Sequence, residues 1–192
     1  VYTITEERLR KRHVLSDYRV FMLLIDHNDI SYDVAVEDYA GYRTALIFNC
    51  EIRNQVLMEV MNVLRELKLK TLVLFQSIEH GSKVAQLSGE RFISGQTKSD
   101  ERERAKAEFL SGEGGFLLAS DIFKKGVTLP QVEVLINVDG GLEDANTIQK
   151  KGRVLGATET KSRSLIVDFF DLYDAYFSDH SETRLNTYIE AI

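Results

Sequence analysis

The sequence has few of the residues that cross-link a chain, interrupt it or bind metals. Cys50 is the only cysteine and Pro130 the only proline among 192 residues, and tryptophan is absent. A single cysteine excludes an internal disulfide, and the four histidines lie far apart, without the spacing of a zinc site. We therefore expect no metal site built by this chain alone.

Long apolar runs are also missing. Runs such as "TLVLF" and "VEVLINV" fall far below the roughly 20 residues that cross a bilayer, and no charged-then-apolar leader opens the chain. With 44% hydrophobic and 28% charged residues, the composition is typical of a soluble globular domain. We expect a cytoplasmic protein that has no membrane partner.

Positive charge is scarce, because 24 Lys and Arg residues face 30 Asp and Glu residues, for a net charge of −6. A protein that holds nucleic acid by bulk electrostatics typically has a broad basic face. Basic residues gather only locally, and each group taken singly is typical of a solvated surface. The groups are Arg8 to Arg12, Lys124 with Lys125, Lys150 to Arg153, and Lys161 with Arg163.

Apolar spacing predicts alternating helices and strands from Glu51 onward. One helix should run from Glu51 to near Leu69, with a buried face made of Ile52, Val56, Val60, Leu64 and Leu67. Ser77 can cap a second helix, and a third should span Ser99 to Leu110. Short apolar runs predict strands at residues 71–75, 91–94, 116–120, 132–138 and 162–170.

This alternation predicts the fold class and the domain organisation. Near-continuous apolar strands between helices are typical of a doubly wound α/β domain, with a mostly parallel sheet and helices on both faces. The first part of the chain differs, with a capping-box pattern from Thr3 to Glu6 and an alternating segment "DISYDVAV". We assign residues 1–45 to an N-terminal lead-in or interdomain linker and residues 46–192 to the α/β domain.

The loops that follow the strands are the candidate functional segments, because ligands of open parallel sheets bind beyond the carboxyl ends of the strands. "DIFKKGVTLP" follows the strand "FLLAS", and "DGGLEDANTIQKKGR" follows "VEVLINV". Each loop alone predicts only a turn. Their order is more specific: a strand, a Ser-Asp loop with a glycine five residues after the Asp, another strand, and then Gln-x-x-Gly-Arg. We expect the two loops to leave neighbouring strands and to converge.

Together these segments resemble the second RecA-like domain of superfamily 2 helicases, over about residues 71 to 170. "TLVLFQSIEHGSKVAQL" is similar to motif IV of that family, "LLASDIFKKGVTLP" to motif V and "QKKGRVLG" to motif VI. The overall layout most resembles phage-encoded DNA helicases of the UvsW type. A phage origin would place the protein in the host cytoplasm.

The resemblance implies a set of site residues. Nucleic acid, DNA by the same resemblance, would be contacted by Ser94, Gly95, Ser120 and Asp121. The nucleotide would be approached by Gly126, Val127, Thr128 and Gly152. Gln149 and Arg153 would face ATP across an interdomain cleft, where an arginine offers a fixed planar fork to the γ-phosphate oxygens.

Two positions depart from the pattern of the family. Gly156 stands where the family usually has arginine, and Thr128 where it often has an acidic residue. An arginine finger is typically worth about 10³ to 10⁵ in rate, so its loss predicts a feeble motor. Lys161 and Arg163 follow closely in the sequence, and we consider them as replacements for the missing arginine.

The chain also lacks the Gly-x-x-x-x-Gly-Lys-Ser/Thr loop and the Asp-Glu pair that hold ATP and magnesium. ATP and Mg²⁺ would therefore be bound mainly by an N-terminal RecA-like domain of the same full-length chain. Because the sequence begins at Val1 rather than Met, we expect it to be part of a longer protein and to be inactive alone.

Two other functions remain open. A catalytically inert module could keep the helicase fold and hold nucleic acid or a protein partner, and Gly156 favours this interpretation. An unrelated doubly wound nucleotide-binding or small-molecule-binding domain is disfavoured, because no Gly-rich turn follows the first strand.

Overall fold

The computed structural model describes residues 17–27, 39–120, 129, 131–141, 156, 161, 163–173 and 175–190. These residues form a six-stranded sheet and five α-helices. The strands are β1 (Asp17–Asp26), β2 (Lys70–Phe75), β3 (Phe92–Ile93), β4 (Gly115–Ser120), β5 (Val134–Asn137) and β6 (Arg163–Leu172). The helices are α1 (Tyr39–Arg43), α2 (Glu51–Glu66), α3 (Ile78–Ser88), α4 (Ser99–Ser111) and α5 (Ala175–Glu190). A π-helical turn, Thr44–Phe48, continues α1.

The sheet is parallel throughout, with the strand order β1-β6-β5-β2-β4-β3. Two apolar clusters lie on its opposite faces. Leu57 and Val84 bring α2 and α3 to one cluster, while Phe109 and Tyr188 bring α4 and α5 to the other. The predicted doubly wound α/β fold, with helices on both faces of a parallel sheet, is confirmed.

The central strands agree with the sequence pattern because they are buried on both faces. Every residue of β5 is buried, as are five of the six residues in both β2 and β4. The predicted cap of α3 is also confirmed, since the Ser77 side chain accepts a hydrogen bond from the backbone N–H of His80. Continuous apolar runs therefore located these strands correctly.

The helix α2 begins at Glu51 as predicted, but the prediction of its buried face was only partly right: Leu64 is buried and Val56 and Val60 pack against the core. Ile52 is 47% exposed and Leu67, just beyond the helix, is 61% exposed. Two polar residues, Arg53 and Asn54, lie on the buried face together with apolar residues. Apolar spacing misses such a face because buried partners, and not the apolar character of the side chains, explain the burial of these two residues. The buried residues are Arg53, Asn54, Leu57, Met61 and Leu64.

The strand β1 lies inside the segment that we assigned to a lead-in or linker. It pairs in parallel with β6 along its whole length, from Asp17 opposite Arg163 to Asp26 opposite Leu172. Part of the lead-in is therefore an edge strand of the same sheet. The domain boundary at residue 45 stays a prediction.

The expectation that the two candidate loops leave neighbouring strands was wrong. β2 pairs with both β4 and β5 and so lies between them. Sequence order does not reveal this, because the earlier strand β2 is inserted between two later ones. Since adjacent strands are about 4.8 Å apart, the two loops leave the same edge of the sheet roughly 10 Å from each other.

No helix in the described part of the chain combines the length and the apolar character that a bilayer crossing requires.

Candidate nucleic-acid and nucleotide interface

Two of the predicted strand contacts lie side by side at the carboxyl edge of the sheet. Ile93 pairs with Ala119, so Ser94 and Ser120 follow at the same level of the neighbouring strands β3 and β4. Neighbouring strands are about 4.8 Å apart. The fold therefore brings together two hydroxyl-bearing residues that are 26 positions apart in the sequence.

A tight turn after β3 fixes the backbone around Ser94 and Gly95. The Ser94 N–H donates to Thr97 Oγ1 over 3.0 Å, and the Thr97 N–H donates to the Ser94 carbonyl over 3.1 Å. The Gln96 N–H donates to Ser94 Oγ over 3.2 Å. Ser94 and Ser120 are each only 5% exposed, so only a small part of each residue reaches the surface.

The remaining predicted site residues lie outside the described residues, and their roles stay predictions. They are Asp121, Gly126, Val127, Thr128, Gln149, Gly152 and Arg153.

The described start of the loop that follows β5 is closely packed. The Val138 N–H donates to the Leu74 carbonyl over 3.1 Å and extends the pairing of β5 with β2. Gly140 then adopts a φ of 65°, and a Cβ there would lie 2.9 Å from Ile47 Cδ1 and 3.2 Å from Asp171 Oδ2. Both the backbone conformation and the space require glycine at this position.

Arg184, on α5, hydrogen-bonds to the backbone of the turn at Gly140 and Gly141. Arg184 Nη1 donates to the Gly141 carbonyl over 3.0 Å, Nη2 to the Phe169 carbonyl over 2.6 Å, and Nε to Asp168 Oδ2 over 3.3 Å. Burial alone would lower the pKa of Arg184, but Asp168 and Asp171 outweigh it and raise the pKa. Arg184 therefore stays charged and ties the loop exit to β6.

Asp168 is the acceptor at the centre of this group. Its Oδ2 also receives hydrogen bonds from Asn137 Nδ2 and the Tyr188 hydroxyl, each over 2.8 Å. Burial and the nearby Asp168 charge raise the pKa of Tyr188 well above its ordinary value, so the phenol remains a donor. A buried carboxylate with this many donors is satisfied in the way that buried charges require.

A second buried charged group lies three residues further along β6, at Asp171. Asp171 Oδ1 receives hydrogen bonds from Arg53 Nε over 2.9 Å and from His27 Nε2 over 3.1 Å. Burial lowers the pKa of His27, but the hydrogen bonds to Asp171 and Cys50 outweigh it and raise the pKa to about 9. Burial would raise the pKa of Asp171, yet Arg53 and His27 hold it below its ordinary value. This group joins β1, α2 and β6.

Sequence reasoning missed both charged groups. A signal was present in "SLIVDFFDL", where two aspartates interrupt an apolar strand, and in the Arg53-Asn54 pair within an apolar helix. No sequence spacing indicates the pairing of these residues, because Arg53 and Asp171 are 118 positions apart.

The two proposed replacements for the missing arginine lie at the start of β6. Arg163 begins β6 and pairs with Asp17. The residue of β6 at the level of Ser120 is Phe169, as the strand registers from β4 through β2 and β5 to β6 show. Six residues of strand separate the two levels by roughly 20 Å. Lys161 precedes β6 and donates to the Gly156 carbonyl over 3.1 Å. Lys161 thus lies beside the position of the missing arginine, and the hypothesis that Lys161 or Arg163 replaces it stays a prediction.

Comparison with known proteins identifies the family. Residues 52–157, more than half of the chain, match the family described as "Helicase conserved C-terminal domain". The chain belongs to this family. The predicted second RecA-like domain of a superfamily 2 helicase is thereby confirmed, and the parallel sheet described above is its sheet.

Solved structures of helicases share the fold. The domain superimposes on T4 UvsW with a TM-score of 0.67 at 17% identity, covering 93% of this chain and 40% of that one. It superimposes on the C-terminal domain of the DEAD-box protein Dbp5 with a TM-score of 0.61 at 15% identity, covering 94% of this chain and 88% of that one. At these identities the likeness concerns the fold alone.

The relatives include a fungal helicase and a viral one. The helicase domain is 26% identical over 159 residues to the ATP-dependent rRNA helicase RRP3 of Candida albicans, covering 74% of this chain and 28% of that protein. It is 23% identical over 147 residues to putative helicase 22 of a Sulfolobus islandicus filamentous virus, covering 73% of this chain and 26% of that protein. The chain thus spans about a quarter of the length of these relatives.

Proposed function

We propose that the helicase domain is the second motor lobe of an ATP-dependent helicase or translocase. The observation that carries the proposal is the position of Ser94 and Ser120, side by side at the carboxyl edge of the sheet. The loops similar to motifs V and VI begin at this same edge, after Ser120 and Gly141. Strand contact and nucleotide contact would therefore share one rim of the domain.

In this proposal the strand is held by its phosphates. The hydroxyls of Ser94 and Ser120, together with backbone N–H groups at Gly95 and Asp121, suit phosphate oxygens, which carry no base identity. The tight turn at Ser94 supports this role, because it orders the backbone before any strand arrives.

The nucleotide would be met by a second set of residues. Arg153 would supply positive charge at the γ-phosphate and Gln149 would lie beside it, while Gly152 and the segment 126–128 would approach the nucleotide. Hydrolysis would occur between this lobe and an N-terminal RecA-like domain, and closure of the cleft would couple it to movement along the strand.

Magnesium does not fit the described part of the chain. No group of three His, Cys, Asp or Glu side chains among the described residues could hold a metal ion. The two buried aspartates of β6 are already paired with arginines. We propose that Mg²⁺ and most of the ATP are held by the N-terminal domain.

The kind of strand is a finer part of the proposal. The UvsW-like layout motivates DNA, whereas the relatives include proteins named as RNA helicases. A protein containing both RecA-like domains can decide, through ATP turnover measured with single-stranded DNA and with single-stranded RNA. We expect stronger stimulation by DNA, and stimulation by RNA alone would overturn the choice of DNA.

The same assay tests the assigned roles. Arg153→Ala should reduce ATP turnover about 10³-fold or more, while strand binding persists. Ser120→Ala should raise the strand concentration needed for half-maximal stimulation and leave the saturated rate nearly unchanged. The 192-residue chain alone should hydrolyse ATP negligibly. A clear strand-stimulated rate from the chain alone would contradict the division of labour between the two lobes.

A catalytically inert binding module is the second candidate. It is favoured by Gly156, where the family usually has arginine, and by Arg163, which begins β6 at the amino edge of the sheet. Strand binding without ATP turnover in the two-lobe protein would support this candidate over the motor.

A further inference from the structure

Among the described residues, Arg43 is a partly buried cation without a carboxylate partner. It ends α1, and its guanidinium lies 5.2 Å from the centre of the Phe48 ring. The Nε and Nη2 atoms are buried and make no hydrogen bond. No described carboxylate forms an ion pair with it. A stacked ring replaces only part of the hydration that these donors lose.

Two fully buried arginines among the described residues have the carboxylate partner that Arg43 lacks. Arg53 and Arg184 are each 1% exposed, and they pair with Asp171 over 2.9 Å and with Asp168 over 3.3 Å. Arg53 keeps one nitrogen, Nη1, without a partner, but a carboxylate balances its charge. No described carboxylate balances the charge of Arg43, whose side chain is only partly buried, so an external anion would complete the pair.

The local structure holds Arg43 in this position. Residues 43 and 48 would diverge by about 140° around an α-helix, and the π-helical turn Thr44–Phe48 brings them onto one side. The i→i+5 hydrogen bond from the Asn49 N–H to the Thr44 carbonyl measures 2.8 Å. Phe48 is fixed in turn, because its carbonyl accepts from Asn54 Nδ2 over 3.0 Å.

This position is at the carboxyl edge of the sheet. The Phe48 ring lies 5.3 Å from the ring of His80, in the first turn of α3, and α3 follows the carboxyl end of β2. β2 adjoins β4, which ends at Ser120. Burial and the nearby Arg53 and Lys83 lower the pKa of His80 to about 3, so this ring is neutral and repels no anion or cation.

We propose that Arg43 and Phe48 form a phosphate-binding site that extends the strand path from Ser94 and Ser120 across β2. The ligand is a phosphodiester of a nucleic-acid strand, bound by the guanidinium while the ring supports it. The phosphates of a nucleotide offer the same chemistry, and the test separates the two sources. The inference rests on the proposed function.

The test uses the 192-residue chain and fluorescently labelled single strands of about 20 nucleotides, thymidine DNA and uridine RNA, at several salt concentrations. Arg43→Ala should weaken binding of the preferred strand about 5-fold to 10-fold. It should also reduce the slope of log K against log salt by about 0.7, the value for one phosphate on a single strand. Arg43→Lys should keep the slope and lose part of the affinity, since the charge remains without the planar fork.

Arg65→Ala is the matched control. Arg65 also lies over a phenylalanine, 5.1 Å from the Phe116 ring, but it pairs with Glu90 over 2.9 Å and lies near the opposite end of α2. Its removal should leave the affinity and the salt slope unchanged. Circular dichroism and melting of each variant exclude loss of folding as the cause of weaker binding.

The outcomes separate this inference from the proposed function. Wild-type binding that Ser120→Ala weakens and Arg43→Ala does not would overturn the Arg43 site and leave the function in place. A loss confined to a fluorescent ATP analogue would assign the phosphate to a nucleotide and overturn the strand path. Absence of binding by the wild-type chain at low salt would overturn both the site and the proposed strand contacts.

Discussion

Asp168→Asn should destabilise the helicase domain strongly, because it removes a buried charge on which three other side chains depend. Asp168 is 0% exposed and accepts from Arg184, Asn137 and Tyr188. Asparagine has nearly the same shape, but it leaves the Arg184 charge buried without a carboxylate. Breaking a buried ion pair in this way costs about 3 to 5 kcal/mol. In a domain of this size we expect the melting temperature to fall by about 6 to 20 °C.

Glu108→Gln is the control for burial. Glu108 pairs with Arg91 over 2.9 Å, a shorter distance than that from Asp168 to Arg184, but the two side chains are 56% and 51% exposed. Exposed pairs contribute about 0 to 1 kcal/mol, so the melting temperature should hardly change. Equal shifts for Asp168→Asn and Glu108→Gln, measured by calorimetry or urea denaturation, would refute the reasoning from burial.

A double-mutant cycle extends the test to the pair itself. Asp168→Leu with Arg184→Met should be less destabilising than the sum of the two single changes, because neither charge is then left alone in the core. A coupling free energy of at least about 1 kcal/mol is expected from chemical denaturation. Additive single changes would mean that the two charges do not depend on each other.

Three further predictions concern packing and pH. Gly81→Ala should cost about 1 to 3 kcal/mol of unfolding free energy, because its Cβ would lie 2.3 Å from the Phe92 ring. The control is Gly112→Ala, whose nearest contact would be 3.5 Å away, and it should be nearly neutral when both variants are measured by urea denaturation. His27 has its pKa raised from 6.5 to about 9, so its contribution to stability should be lost as pH rises through that window, and His27→Gln should remove this loss in denaturation curves. Burial lowers the pKa of Lys161 from 10.5 to about 8, so stability should rise between these pH values, and Lys161→Met should abolish the rise.

The sequence predicted the elements whose own side chains decide their environment. β2, β4 and β5 are buried on both faces, so their apolar runs were sufficient to locate them. Ser77 capped α3 as expected, since the capping hydrogen bond involves residues three positions apart. Local physics is readable in both cases, because every contributing residue lies within a few positions of the others.

Features that depend on distant residues were not predictable in the same way. β1 contains "VFMLLI", but its place in the sheet depends on pairing with β6, more than 140 positions away. The buried face of α2 includes Arg53 only because Asp171 is there to receive it. The candidate site shows the same division. Ser94 and Ser120 were predicted because each follows the end of an apolar strand, whereas Arg43 became a candidate only because its guanidinium lacks a described partner.

The positions of Lys161 and Arg163 differ in what they imply for the arginine that is missing at Gly156. The carboxyl edge holds Ser94, Ser120 and Arg43, whereas Arg163 lies at the amino edge, roughly 20 Å of strand away. In the proposed function, a cation at that distance cannot stabilise charge at the γ-phosphate, since exposed charges beyond about 10 Å are largely screened by salt. Lys161 is placed differently, because it donates to the carbonyl of Gly156 itself over 3.1 Å. Changing both residues to alanine in a protein with both RecA-like domains tests the replacement, and intact ATP turnover would rule it out.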